Sequence, residues 1–142
     1  MFCREVMTEN PACCLPNDLV STSARVMRRE DVGALPVIND EQRKQLIGIV
    51  TDRDLAIKVV AESRDPNHTT VQDVMTSIIV VCREREDLSN AIKAMEAHQI
   101  RRIPVVDDDG RIVGIISQAD VAVRLHEPAK TAEMVEEISQ AA

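Results

Sequence analysis

Two short polar motifs interrupt an otherwise aliphatic chain, and both carry groups that can do chemistry: Thr51-Asp52-Arg53-Asp54 and Ser117-Gln118-Ala119-Asp120. Each places a hydroxyl three residues ahead of a carboxylate, directly after an apolar run. Where a strand turns into a helix, that spacing is a capping box: the hydroxyl accepts a hydrogen bond from the third helical N–H, and the acid reaches back. Spacing alone favours this structural role. The same corner also makes an anion site, because the hydroxyl, the free N–H groups and the positive end of the helix dipole point out of the strand end together. A carboxylate there repels a bare phosphate but accepts hydrogen bonds from sugar hydroxyls. The combination suits a ribose phosphate, with Asp on the 2′ and 3′ hydroxyls and Ser/Thr with backbone N–H on the phosphate.

Nearby arginines sharpen this. Arg101-Arg102 lies just before Ile103-Pro104, so one of the two should face the strand-end cleft; otherwise the pair is a solvated basic edge. Arg53 is a second phosphate candidate, or a plain surface cation. Gly33 stands where the other copy has Arg101, so the two corners are not equivalent, and the Ser117/Asp120 corner has the more positive surroundings.

The elements that hold these corners occur twice. Val6-Met7-Thr8 recurs as Val74-Met75-Thr76, and the same offset of 68 carries Cys14 to Cys82, Met27 to Met95 and Pro36 to Pro104. The offset falls to 66 between Gly48 and Gly114, so the first copy has two extra residues in the polar loop 39–45, where length changes are tolerated. Each copy reads strand, helix, strand, strand, helix. The first strands are the extended segments 12–15 and 78–82, the latter opening with the β-branched run Ile78-Ile79-Val80-Val81. Leu88, Ala91, Ile92 and Met95 form a helical stripe, matched by Val20, Ser23, Ala24 and Met27 with a start signal at Pro16-Asn17-Asp18. Hairpin strands follow over 35–38 with 46–51 and 103–106 with 112–117, the second closed by Asp107-Asp108-Asp109-Gly110. Second helices are expected over about 52–62 and 118–125. Residues 64–68 form a Pro-broken linker, and Lys130–Gln140 a short terminal helix. The fold class is therefore α+β. One unit alone would be marginal; two can bury their sheets against each other as one cooperative domain.

Composition excludes several functions. The chain has 142 residues, a net charge of −7 and 1% aromatic residues, with a pI of about 4.9. An acidic chain without aromatic stacking platforms does not suit a nucleic-acid or anionic-membrane partner. No apolar run approaches the roughly 20 residues of a membrane span, and the N-terminus lacks signal-peptide character, so a cytoplasmic protein is expected. Cys3, Cys13, Cys14 and Cys82 have no zinc-ligand spacing and read as reduced, packed thiols. His68, His98 and His126 form no metal or catalytic arrangement, so neither an enzyme nor a metal site is expected.

Val-Met-Thr, Ala-Leu-Pro-Val, Arg-Ile-Pro-Val-Val and Gly-Ile-[Val/Ile]-[Thr/Ser]-x-x-Asp together resemble a tandem pair of CBS domains, a Bateman module, over about Val6 to Leu125. The chain resembles the stand-alone bacterial kind. The resemblance implies two βαββα repeats, 6–63 and 74–127, packed with pseudo-twofold symmetry through their sheets in one module spanning 1–142, with residues 128–142 a C-terminal helix or tail. It implies a non-catalytic sensor for AMP, ADP or ATP, with S-adenosylmethionine or NAD-type ligands also found in the family, in clefts built from both repeats. In one cleft Ser117 and Asp120 would hold phosphate and ribose, with Arg101 near the phosphate and Thr8, Cys13, Val32 and Ile115 framing adenine. In the other Thr51 and Asp54 would take the polar roles, with Thr76, Val81, Ile100 and Ile49 around the base. A homodimer through helices around Ala91–Met95 and Ala56–Val60 is implied too, though those residues equally suit a core, as is signalling through the dimer surface or an unknown protein partner. The competing reading is a ligand-independent scaffold whose Ser/Thr-x-x-Asp pairs are only caps.

Overall fold

Short aliphatic strands and amphipathic helices settle around two aliphatic cores largely in the expected order, but the expected first strand over 12–15 is reduced to a single bridge at Cys14. The structure is a computed structural model and describes residues 1–77 and 79–125; the expected helix at Lys130–Gln140 and the rest of the 128–142 tail lie outside them. After a 3-10 turn at Cys3–Glu5 come β1 (Thr8–Glu9), α1 (Val20–Glu30), β2 (Ala34–Ile38), β3 (Leu46–Thr51), α2 (Asp52–Leu55), a π-helical turn (Ala56–Val60) and α3 (Val71–Val74). Then come β4 (Cys82–Arg83), α4 (Leu88–His98), β5 (Arg102–Val106), β6 (Ile112–Ser117) and α5 (Gln118–Leu125).

The chain divides into two compact units that do not follow the repeat boundaries. One holds Met1–Asn10 and the chain from Val80 onward, the other Pro11–Ile79. We call them the Ser117 unit and the Thr51 unit. Each takes its opening Val-Met-Thr segment from ahead of the other copy.

In the Ser117 unit the sheet order is β1-β6-β5-β4. Thr8 lies opposite Ile115 in the antiparallel β1–β6 pair, Ile103 opposite Ile116 in the β5–β6 hairpin, and Cys82 opposite Val105 in the parallel β4–β5 pair. The Thr51 unit repeats this order with less regular edges. Its β2–β3 hairpin is flanked by single bridges, Ile49 to Thr76 antiparallel and Cys14 to Val37 parallel.

The repeated Val-Met-Thr now has a physical account. Val6 and Val74 are buried in the two cores. Met7 lies over Gly114 and Met75 over Gly48, so closely that a Cβ at either glycine would collide with the methionine sulfur. Thr8 and Thr76 then add a strand position beside Ile115 and Ile49.

Both cores are aliphatic, as the near absence of aromatic residues demands. Leu88, Ile92, Met95, Ile103 and Ile116 centre the Ser117 unit, and Leu35, Val37, Val50, Val71 and Val74 the Thr51 unit. Burying each such side chain is worth roughly 1.5–3 kcal/mol over leaving it exposed. Cys14 and Cys82 pack in the same way, each thiol donating to a proline carbonyl, Pro36 and Pro104, at 3.8 Å.

Several local expectations are corrected. Of the expected strand 78–82, the described residues 79–81 do not pair: pairing is confined to Cys82–Arg83, and residues 79–81 are partly or largely exposed where the chain passes from one unit to the other. Strand propensity loses there because no neighbouring strand is on hand. The Pro16-Asn17-Asp18 signal shapes the preceding turn, with Asp18 Oδ2 accepting from Leu15 N–H at 2.8 Å. The first N–H groups of α1 go instead to linker carbonyls, Val20 to Thr69 (2.9 Å) and Ser21 to Pro66 (3.1 Å). In the other copy Leu88 N–H donates to Met1 carbonyl at 2.8 Å, and Asp87 caps α4 through Ser89 N–H at 2.9 Å. Ala91, Ile92 and Met95 are core rather than dimer surface, whereas Ile57 and Val60 are exposed.

Candidate functional site

Both hydroxyl–carboxylate corners form at the ends of the second hairpin strands, and both are capping boxes. Ser117 N–H donates to Asp120 Oδ2 at 2.9 Å, and Asp120 N–H donates to Ser117 Oγ at 3.0 Å. In the other corner Thr51 N–H donates to Asp54 Oδ2 at 3.0 Å, and Asp54 N–H donates to Thr51 Oγ1 at 3.1 Å. The structural role expected from spacing is therefore present at both corners.

A carboxylate has two oxygens, however, and the cap engages one. Asp120 Oδ1 has no hydrogen-bond or ion-pair partner among the described residues. Capping and ligand binding are thus compatible at Asp120: Oδ2 holds the helix, and Oδ1 can accept from a hydroxyl. Asp54 differs. Its Oδ1 lies 3.2 Å from Lys58 Nζ, and Lys58 Nζ also donates to Val74 carbonyl at 2.9 Å. Sequence reasoning passed over Lys58, although its signal was legible: a Lys four residues after an acid is a helical ion pair.

At the arginine position the structure supplies a backbone contact. Gln118 N–H, the first of α5, donates to Arg101 carbonyl at 2.9 Å, and Asp52 N–H makes the equivalent 2.9 Å bond to Gly33. Residue 101 is thereby pinned beside the Ser117/Asp120 corner, and residue 33 beside the Thr51/Asp54 corner. Arg101 is exposed and its guanidinium has no partner among the described residues; Gly33 brings no charge. Arg53 is exposed on the first turn of α2.

The remaining candidates divide by unit. Thr8 and Ile115 face each other across β1–β6 in the Ser117 unit, and Thr76 and Ile49 do so in the Thr51 unit. Cys13 and Val32 belong to the Thr51 unit, Val81 and Ile100 to the Ser117 unit. Val32 and Val81 are 43% and 40% exposed. Cys13 lines a pocket of about 410 Å³ with Leu15, Asp18, Ile38, Glu41 and Lys44. Its thiol donates to Pro11 carbonyl at 3.2 Å, and burial raises its pKa against the opposing pull of Lys44. Among the described residues no three His, Cys, Asp or Glu side chains gather as a metal centre, and no helix is long and apolar enough to cross a membrane.

Known proteins match this architecture. The chain is 36% identical over 126 residues to hypoxic response protein 1 of Mycobacterium tuberculosis, covering 89% of this chain and 86% of the relative. It is 37% identical over 120 residues to the CBS domain-containing protein YhcV of Bacillus subtilis, covering 84% and 82%. A crystal structure of hypoxic response protein 1 with two coordinated zinc ions matches with a TM-score of 0.78 at 34% identity, over 88% of this chain and 99% of that one. CBSX2 in complex with AMP matches at 0.74 and 29% identity, over 91% and 98%. The CBS domain pair of MJ0100, in complex with 5′-methylthioadenosine and S-adenosylmethionine, matches at 0.79 and 25% identity, over 90% and 98%. The CBS domain family model matches residues 3–61 and 71–127. With two such matches over most of its length, the chain belongs to the CBS domain family as a tandem CBS pair.

Proposed function

We propose that this chain is a non-catalytic regulatory module that binds an adenosine-type ligand, an AMP-, ADP- or ATP-like nucleotide or S-adenosylmethionine, as a single Bateman module of repeats 6–63 and 74–127. Asp120 Oδ1 accepts a ribose hydroxyl, Ser117 with the first N–H groups of α5 meets the phosphate, Arg101 neutralises it, and Thr8 and Ile115 lie beside the base. The observation that carries this reading is the unspent Asp120 oxygen, on a carboxylate already locked in orientation by its cap. A receptor oxygen held in place before binding avoids the cost of ordering it afterwards. The AMP complex of CBSX2 and the S-adenosylmethionine complex of MJ0100 support the ligand class. In this proposal the protein is cytoplasmic and homodimeric, and passes its signal through the dimer surface or to a protein partner.

A scaffold reading has one observation in its favour: at Asp54 each oxygen already has a partner within the protein. A thermal-shift series with AMP, ADP, ATP, S-adenosylmethionine and 5′-methylthioadenosine separates the two. A ligand at a hundred times its Kd stabilises by about 2.7 kcal/mol, several degrees for a domain of this size. Flat curves for all five leave the scaffold.

A further inference from the structure

Duplication produced two corners of one design, and beyond the Arg101/Gly33 difference one side chain sets them further apart. In the Thr51 corner Asp54 is only 14% exposed, and its oxygen Oδ1, the one its cap does not engage, is met by Lys58 Nζ at 3.2 Å. The same ammonium donates to Val74 carbonyl at 2.9 Å. Val74 immediately precedes Met75 and Thr76, and Thr76 is bridged to Ile49 of β3. Lys58 therefore ties the helix after the corner to the segment bordering it and takes an acceptor position on the oxygen a ribose would need.

The counterpart of Lys58 in the other copy is Arg124, also four residues after its acid. It is exposed and makes no ion pair with Asp120 among the described residues. The helices differ in winding too. After Leu55 the chain widens into a π-helical turn, with Ala61 N–H reaching back to Ala56 carbonyl at 2.9 Å, whereas α5 is regular through Leu125. π-Turns concentrate where a helix is adapted to a local task.

We propose that Lys58 is an internal stopper: its ammonium occupies the ribose-binding oxygen of Asp54, so each chain takes one adenosine-type ligand, at the Ser117/Asp120 corner. This rests on the nucleotide reading above. A hydroxyl arriving at Asp54 Oδ1 competes with a charged donor already seated there, and a neutral hydroxyl is the weaker partner for a carboxylate. Losing one charge-assisted hydrogen bond weakens binding at least roughly tenfold.

The test counts ligands per chain by native mass spectrometry and calorimetry, using whichever of AMP, ATP and S-adenosylmethionine binds the wild type most tightly. The wild type binds one, and Asp120→Asn removes it. Lys58→Met binds two, the second within about tenfold of the first, and adding Asp54→Asn removes that second ligand. Lys58→Gln keeps a neutral donor for Val74 carbonyl and opens the same site, which covers the case in which Lys58→Met does not fold. Two equal ligands on the wild type, or one on both Lys58 variants, overturn this inference alone. No binding to the wild type by any of the three overturns the nucleotide reading and this inference with it.

Discussion

Asp120→Asn separates the two jobs of one carboxylate. Asparagine retains one carbonyl oxygen, able to accept from Ser117 N–H as Asp120 Oδ2 does at 2.9 Å. Its other group is an amide NH2, which cannot accept from a ribose hydroxyl. The cap therefore survives while the acceptor for the sugar is lost. Asp120→Ala removes both. Loss of a helix cap costs about 0.5–2 kcal/mol, and at roughly 2–4 °C per kcal/mol the alanine variant should melt about 1–8 °C lower. The asparagine variant gives up the charge's interaction with the helix dipole, about 0.3–1 kcal/mol, and should melt no more than a few degrees lower. For binding, a hydrogen bond to a charged acceptor is worth about 1.5–3 kcal/mol, so both variants should lose roughly ten- to a hundredfold in affinity. Differential scanning fluorimetry without ligand and calorimetry with AMP and S-adenosylmethionine supply the two readouts. If Asp120→Asn keeps wild-type affinity while Asp120→Ala loses stability and binding together, the carboxylate is a cap and nothing more.

Gly114→Ala should cost about 1–3 kcal/mol, because its Cβ would lie 2.7 Å from Met7 Cγ and closer still to the sulfur. Met7→Ala in the same chain should recover part of that in urea melts, and no recovery would argue against the contact. Burial, with Asp18 and Cys13 adding to it, pushes the Cys14 thiol up to about 12. At pH 8 it therefore stays protonated and should resist iodoacetamide until urea unfolds the chain; labelling of native Cys14 as fast as of the unfolded thiol would contradict this burial. Asp65 sits below its ordinary 3.8 because Asn67 N–H and His68 hydrogen-bond its carboxylate. A depressed folded pKa gives stability that is present above about pH 4 and lost as the pH falls through the folded value. The stability gap between wild type and Asp65→Asn should thus close below pH 4, and a gap independent of pH would remove Asp65 from the account.

What sequence could show here follows from what duplication preserves. Offsets of 68 and 66 located β2, β3, β5 and β6 closely, because two copies of a strand corroborate each other even when five residues long. The Cys3–Glu5 turn and α3 at Val71–Val74 escaped, since one helical turn leaves no periodicity to read. Which unit a segment joins was illegible for another reason. Thr8–Glu9 pairs with β6 of the other copy, with the Met7 sulfur seated against Gly114, and no local pattern records that. At the candidate site, residue types and spacing brought out Ser117, Asp120, Thr51, Asp54 and Arg101. They could not say how the two oxygens of each acid are divided, which depends on where Lys58 and Arg124 come to lie. That division, rather than the motif, separates a spare acceptor from a spent one.

The most direct measurement is a crystal structure of this protein grown with AMP. The account predicts a ribose hydroxyl at hydrogen-bond distance, about 2.5–3.0 Å, from Asp120 Oδ1, with Asp120 Oδ2 still accepting from Ser117 N–H and Arg101 turned to the phosphate. AMP bound elsewhere, or Asp120 swung off its cap to reach the ribose, would contradict it.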